Sequence, residues 1–188
     1  MWQNSRMKNS MIHSKWFIVS FAVALGVWLA GATASAQVQT NKLRVGIYDS
    51  RAIAIAYGNS PAFQDSLKPI RTEYEKARAE KNDKRMKEID ARMKLRQRRA
   101  HEQGFSTGSV AGILATVKDS LPAVAKRAGV MMIASKWEVN YQSPEVELVD
   151  VTDELVALFH PNEKVLGWVK SCREKKPVLL EDITNDMD

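Results

Sequence analysis

The sequence predicts an α+β fold in which a long, coiled-coil-like helical arm is inserted between the strands of a small β body. Leu43–Tyr48 alternates in the manner of a half-buried strand. Residues 63–102 contain no glycine and carry thirteen Lys or Arg and eight Asp or Glu, which is typical of a solvated helix. Residues 130–134 are wholly apolar and of strand length, which predicts a buried strand after the arm.

The first 36 residues have the features of a secretory signal peptide. Three basic residues and no acidic residue precede an apolar run: Arg6, Lys8 and Lys15. The run covers residues 17–32 and leads to Ala34, Ser35 and Ala36, so we expect cleavage between Ala36 and Gln37. An uncleaved anchor is the alternative, although the run is shorter than the roughly 20 residues that span a bilayer. The predicted location is a bacterial periplasm.

Charge is distributed unevenly in the chain expected after cleavage. Its 152 residues include 25 basic and 22 acidic side chains, a net charge of +3. Residues 84–99 hold eight basic and two acidic residues, a net +6, whereas residues 137–163 hold seven acidic and no basic residues, a net −7. The arm is therefore expected to be basic and the body acidic. The spacing of Cys172 from Val165 and Val169 predicts a buried thiol rather than an intermolecular link.

The arm is expected to begin at a well-defined helix start. Asp49 or Ser50 can cap a short helix over residues 52–57, and Ser60 and Pro61 suit the N-cap and first position of the next helix. Apolar residues then recur with coiled-coil spacing in two stripes: Leu67, Ile70, Tyr74 and Ala77, and Met86, Ile89 and Met93. Acidic residues stand four positions before basic ones, an order that stabilises a helix: Glu80 and Lys84, Asp83 and Lys87, Glu88 and Arg92, Asp90 and Lys94.

The sequence leaves more than one position for the turn of the arm. Gly104 and Gly108 break the helical pattern about two-thirds of the way along it. Limbs of equal length would turn near Leu95, which has no turn signal, and the segment 82–83 (ND) is a weaker alternative. Residues 110–125 form a second amphipathic helix, which Pro122 should kink or restart.

The C-terminal part is expected to complete the body. Residues 137–141 and 145–149 are predicted strand segments, a short helix follows through residue 159, and residues 163–175 form an amphipathic helix. The predicted organisation is a signal peptide (1–36), the first strand and short helix of the body (37–60), the arm (61–128), the rest of the body (129–160), and a C-terminal helix with an acidic tail (161–188).

An enzyme is not predicted. His101 lies among cations on the arm, and His160 lies at a helix end. Asp49, Asp150 and Asp153 could converge, but their positions at helix starts favour capping. The sequence has no metal-ligand spacing and no glycine-rich phosphate loop, so no metal or cofactor is expected.

Two C-terminal segments carry a family resemblance. Residues 139–146 (VNYQSPEV) and 150–156 (DVTDELV), with residues 45–50 (VGIYDS) more loosely, resemble the Skp/OmpH family of periplasmic chaperones. The order of parts is similar too, from signal peptide and first strand through a basic helical region to a returning strand. The resemblance implies a homotrimer whose strands build a shared body and whose helical arms enclose unfolded outer-membrane proteins.

We therefore predict a non-enzymatic, ATP-independent holdase whose arm binds unfolded outer-membrane proteins by charge and apolar contact. The expected client-binding residues are Lys84, Arg85, Lys87, Arg92, Lys94, Arg96, Arg98, Arg99, Met86 and Met93. A seam against the returning helix is an equal alternative for the two methionines. Nucleic acid is not expected, because no aromatic residue is interleaved with the basic ones, whereas an anionic lipid or lipopolysaccharide surface fits the arm. The alternative function is an envelope structural or tethering protein with a coiled-coil spacer.

Overall fold

The structure is a computed structural model that describes residues 42–185. The three strands are β1 (Leu43–Tyr48), β2 (Met132–Ser135) and β3 (Val146–Asp150). The α-helices of this part of the chain are α1 (Ser50–Gly58), α2 (Pro61–Ala79), α3 (Asp83–Phe105), α4 (Ala111–Leu114), α5 (Leu121–Ala128), α6 (Thr152–Ala157), α7 (Glu163–Arg173) and α8 (Leu180–Asn185). The predicted signal peptide and its cleavage site, Ala36 and Gln37, lie outside the described residues. Within residues 42–185, no helix combines the length and apolar content needed to cross a membrane.

The chain mixes helices and strands, as predicted, and its sheet is parallel. β1 lies in the centre with β2 and β3 on either side. Parallel neighbours require crossover connections, and residues 49–131 provide the first one. Residues 136–145 provide the second by passing from one edge of the sheet to the other.

Helices cover one face of the sheet. Tyr48, Ile133 and Val149 point from that face into the core, which also contains buried side chains of α1, α4, α5, α6 and α7. The opposite face, here called the open face, carries apolar side chains in register, with Val45 beside Met132 and Leu148. Residues 138–143 and the open face line a groove of about 390 Å³.

The prediction of a buried strand over residues 130–134 is wrong in part. The observed strand is Met132–Ser135, and Met131 and Met132 are 81% and 54% exposed. Only one face of this edge strand meets helices, so alternate side chains remain in solvent. The expected strand over 137–141 is absent, because the first part of that segment is a 3-10 helix, Lys136–Glu138. The strand predicted over residues 145–149 is confirmed as β3.

The prediction of one continuous charged helix over residues 63–102 is also wrong, because two helices fold back on each other there. α2 ends at Ala79, and Lys81 takes a φ of 52° in the turn. The side chain of Asn82 then accepts a hydrogen bond from the Arg85 backbone N–H at 3.0 Å and caps α3. The turn thus lies at the weaker of the expected positions, and α3 continues through Gly104. We call residues 61–105 the hairpin.

Residues 110–128 belong to the core rather than to the hairpin. Val110, Ile113 and Val124 are all at most 7% exposed and lie in the same apolar cluster as α1. The predicted effect of Pro122 is confirmed, because a 3-10 helix (Ala115–Ser120) precedes a fresh start of α5. The amphipathic face of this segment therefore packs beneath the sheet, and the arm expected over residues 61–128 is shortened to the hairpin.

The other helix ends and the C-terminal helix follow the predictions closely. Asp49 caps α1, and Ser60 with Pro61 begins α2. α7 packs on α1 through the buried Val165 and Val169, so it is part of the core. Cys172 is half-buried beside them, and burial raises the pKa of its thiol.

Candidate functional site

Two of the predicted binding arginines join the helices of the hairpin. The carboxylate of Glu73 on α2 accepts a hydrogen bond from Arg85, and its second oxygen accepts one from Arg92 at 2.5 Å. The hydrogen bond with Arg92 is the main cause that lowers the pKa of Glu73 below its ordinary value, and the charge of Arg85 adds to it. None of the four intrahelical pairs expected between Glu80 and Lys94 reaches ion-pair distance in the described structure. Arg92 pairs across the hairpin instead, whereas Glu80 pairs with Lys76 and Glu88 with Arg85, four and three positions away.

Two further predicted residues also have internal partners. The guanidinium of Arg96 donates to the hydroxyl of Ser66 at 2.5 Å and lies 5.2 Å from the ring centroid of Phe63. Arg98 donates to Glu102, one turn further along α3, at 3.1 Å. Arg85, Arg92, Arg96 and Arg98 therefore all make contacts within the hairpin, and carboxylates partly neutralise the charges of Arg85, Arg92 and Arg98.

The other predicted cations have no partner. Within residues 42–185, Lys84, Lys87, Lys94 and Arg99 take part in no side-chain hydrogen bond or ion pair, and all four are exposed. At 100° per residue, the three lysines share the face of α3 that lies opposite the buried Ile89. We call Lys84, Lys87 and Lys94 the free stripe; it can attract an anionic partner without breaking a contact of the hairpin.

The predicted methionines lie between the free stripe and the hairpin interior. Met86 and Met93 are half-buried on the same side of α3 as Ile89, which is only 1% exposed. Leu67 and Ala77 are the buried residues of α2. The two methionines therefore occupy the seam between the helices, with part of each side chain still in solvent.

A groove opens where the hairpin joins the body. It has a volume of about 850 Å³ and is lined by residues of α1, α2, α3 and α4. Tyr57, Phe63 and Phe105 provide aromatic surface, and Arg99 and His101 bring polar groups to it. We call it the base groove.

A buried charged cluster lies at the carboxyl ends of β1 and β2. The carboxylate of Asp49 accepts hydrogen bonds from Arg51 at 2.8 and 3.1 Å and forms an ion pair with Lys136 at 2.8 Å. Both cations also lie over the ring of Trp137, at 5.1 and 4.3 Å from its centroid. Arg51 donates in addition to the backbone oxygen of Lys175. The cluster thus ties the ends of two strands to the C-terminal segment.

The electrostatics of this cluster fix its charge state. Burial raises the pKa of Asp49, but the hydrogen bonds from Arg51 and Lys136 outweigh burial, so the pKa lies below its ordinary value. The hydrogen bond to Asp49 likewise raises the pKa of Arg51. Two buried polar atoms in the described part of the chain, Ser50 Oγ and Trp137 Nε1, have no hydrogen-bond partner. With the Asp49 carboxylate held by two cations, the cluster is suited to anchoring rather than to proton transfer.

The aspartates considered as a convergent site act at helix starts. Asp49 accepts from the Arg51 backbone N–H at 3.0 Å, and Asp150 accepts from the Thr152 backbone N–H at 2.9 Å. Capping is thereby confirmed for Asp49, whereas the N-cap residue of α6 is Val151 and Asp150 lies one position before it. Asp153 instead pairs with Arg173 at 2.7 Å. No group of three or more His, Cys, Asp or Glu residues in the described structure could hold a metal ion.

Sequence reasoning identified the basic residues of α3 but missed the base groove and the charged cluster. Lys136 and Trp137 follow β2, and Asp49 and Arg51 follow β1. Because these two strands are adjacent and parallel, their carboxyl ends bring the four residues together. Comparison with known protein families, curated proteins and solved structures found no match for this chain.

Proposed function

We propose that the protein is a periplasmic, ATP-independent holdase of the Skp/OmpH type, whose hairpin binds unfolded outer-membrane proteins. The observation that carries the proposal is the free stripe, a row of lysines with no internal partner on a hairpin inserted between two strands of one sheet. Exposed, unpaired charges attract oppositely charged chains at long range and bind each one weakly. Weak binding at several points permits release without ATP.

The open face supports a homotrimer as the working form. Met132 is 54% exposed on it and Leu43 is 46% exposed. A sheet face that no helix covers and that still exposes apolar side chains gains stability when another copy buries those side chains. Assembly through the bodies would leave the hairpins of the three copies free to surround a client as coiled-coil-like arms.

The proposed function is tested by removing the free stripe. An unfolded outer-membrane β-barrel protein is diluted from urea at low salt, and light scattering follows its aggregation. We expect wild type to delay aggregation, and the triple variant Lys84→Gln, Lys87→Gln, Lys94→Gln to lose most of this effect with an unchanged Tm.

A matched control separates position from charge. Lys118, Lys126 and Arg127 are exposed, lie outside the hairpin and have no side-chain partner in the part of the chain that the structure describes. Their triple replacement by Gln changes the net charge equally and should leave the delay intact. A role for the free stripe would be contradicted if both variants lost the delay of aggregation equally, or if neither variant lost it. A wild-type protein that never delays aggregation would favour the tethering alternative.

A further inference from the structure

Three glycines hold the base groove open. Gly58, Gly104 and Gly112 lie on α1, α3 and α4 and all line it. A Cβ added at any of them would meet nothing within 4 Å outside its own helix backbone, and none has a positive φ. Neither the backbone conformation nor the internal packing therefore requires glycine at these positions.

All three glycines lie near helix ends, where glycine costs less than in a helix interior. Their shared position on one groove is therefore the informative feature. Of the four described glycines with open space around the Cβ position, three line the base groove, and only Gly167 on α7 does not. Close approach of a bound group to helix backbone is a principal use of glycine. The convergence of three on one groove indicates that a partner occupies it.

The charge of the groove defines one part of this partner. Arg96 and Arg99 line it, and no acidic residue does so within the described chain. Arg99 has no side-chain partner there, and Arg96 meets only a hydroxyl and a ring. A carboxylate entering the groove would thus find an unneutralised guanidinium, which is the preferred donor for a carboxylate.

The walls of the groove define the other part. Tyr57 and Phe63 pack edge to face with ring centroids 5.5 Å apart, and His101 and Phe105 do so at 5.6 Å. Phe105 is nevertheless 56% exposed, so one of its faces is available. A further aromatic ring could pack on the exposed side of such a pair in the same edge-to-face or offset geometry. The volume of about 850 Å³ falls in the range of sites for ligands of several hundred daltons.

From this combination we infer that the base groove binds an extended peptide segment in which an aromatic side chain stands next to a carboxylate. The aromatic ring enters between Phe63 and Phe105, and the carboxylate meets Arg99. The inference rests on the proposed function, since it names the client segment that the holdase takes up, but it concerns a surface separate from the free stripe. The groove would bind one client segment at a fixed point while the free stripe holds the remainder loosely.

The test uses the full chain and short fluorescein-labelled peptides in fluorescence anisotropy. The probe contains Phe-Asp-Phe-Asp between Gly-Ser ends, and the matched peptides replace Asp by Asn or Phe by Ser. We expect the Phe-Asp peptide to bind about tenfold or more tightly than either matched peptide. Gly112→Leu fills the groove and should weaken binding about tenfold, whereas Gly167→Leu, at the open glycine outside the groove, should stay within about twofold of wild type.

A second variant carries the test if Gly112→Leu does not fold. Arg99→Gln should weaken binding of the Phe-Asp peptide about tenfold and leave the Phe-Asn peptide unchanged, because the coupling lies between one guanidinium and the carboxylates. Equal binding of all three peptides, full binding by folded Gly112→Leu, or a change in sedimentation that shows the groove to be filled by another copy would each overturn the inference. The inference would also be overturned if the protein bound the fatty acid dodecanoate but did not bind the Phe-Asp peptide.

The two proposals fail separately. A protein that binds the Phe-Asp peptide but does not delay aggregation would lose the holdase function and keep the groove as a peptide site. A protein that delays aggregation but binds none of the peptides would keep the function and lose the groove.

Discussion

Glu73 on α2 and Arg92 on α3 are nineteen positions apart in the sequence, and their side chains meet at 2.5 Å. Arg85 reaches the other oxygen of the same carboxylate. One acidic residue therefore joins two turns of α3 to α2, in a hairpin whose seam has few fully buried side chains. The hairpin is held together partly by charge, and its rigidity should depend on ionic conditions.

Replacement of this carboxylate is the most direct test. Glu73→Gln should loosen the pairing of α2 with α3, because both arginines lose their counter-charge. We expect faster amide hydrogen exchange in α2 and α3 and little change in the body. In the wild type, added salt should raise the exchange rate in a similar way, because it screens the attraction between Glu73 and the two arginines. The screening length is about 10 Å at 0.1 M salt. The variant should show almost no further response to salt.

The control is a carboxylate on the same helix with a local partner. Glu75 pairs with Arg78 one turn away, and both are exposed. Glu75→Gln should leave exchange across the hairpin unchanged. If both variants behave alike, the bridging role of Glu73 is wrong.

Acid should act on the hairpin through the same residue. The pKa of Glu73 is lowered in the folded state, so its contribution to stability is present above the ordinary glutamate pKa of about 4.3 and is lost as the pH falls through the lowered value. The protection factors of the amides in α2 and α3, which allow for the slower intrinsic exchange of amides in acid, should therefore fall below about pH 4, and fall further in the wild type than in Glu73→Gln. An equal response of the two proteins to acid would exclude Glu73 as the titrating group.

Local signals predicted the helix starts but not the hairpin turn. Asp49, Ser60 and Pro61 act within one turn of chain, so sequence reveals them. The turn contains neither glycine nor proline; Lys81 takes the left-handed conformation, which is uncommon for such a residue. The charge pattern was misleading for a similar reason. An acidic residue four positions before a basic one predicts an intrahelical ion pair, but this pattern does not show whether a second helix supplies a competing partner.

The candidate sites differ in the same way. The basic character of α3 is local and was predicted. The base groove needs four helices at once, and the cluster around Asp49 needs the parallel order of the strands. The exposure of Met132 also depends on topology, since an apolar run alone does not distinguish a central strand from an edge strand.

The seam of the hairpin should depend on one isoleucine. Ile89 is 1% exposed, and truncation leaves a cavity, so Ile89→Ala should reduce the stability of the hairpin by about 2–5 kcal/mol. Hydrogen exchange of α2 and α3 measures this loss. Leu95 on the same helix is 61% exposed, and Leu95→Ala should change the value by less than about 0.5 kcal/mol. Comparable effects of the two truncations would contradict the assigned seam.

The buried cluster should determine the stability of the body. Asp49→Asn removes the counter-charge of Arg51 and Lys136, and breaking a buried pair in this way costs about 3–5 kcal/mol. Urea unfolding measures the loss. Because the pKa of Asp49 is lowered, its contribution is present above the ordinary aspartate value of about 3.9 and is lost as the pH falls through the lowered pKa.

Aspartate at position 150 offers the comparison for Asp49→Asn. It also accepts a hydrogen bond from a backbone N–H at the start of a helix and pairs with an arginine, but it is exposed. Asp150→Asn should therefore cost less than about 1 kcal/mol. If the two substitutions destabilise the protein equally, burial does not give the Asp49 cluster its importance.

Assembly should depend on the open face and not on exposed apolar residues in general. Met132 lies on that face beside Val45, whereas Met131 precedes the strand and is even more exposed, at 81%. A lysine in place of Met132 would put a charge inside the proposed interface, whereas a lysine in place of Met131 would remain in solvent. In sedimentation velocity at micromolar concentration, Met132→Lys should shift the trimer towards monomer and Met131→Lys should not. A wild-type monomer would refute the trimer, and dissociation by Met131→Lys alone would move the interface away from the open face.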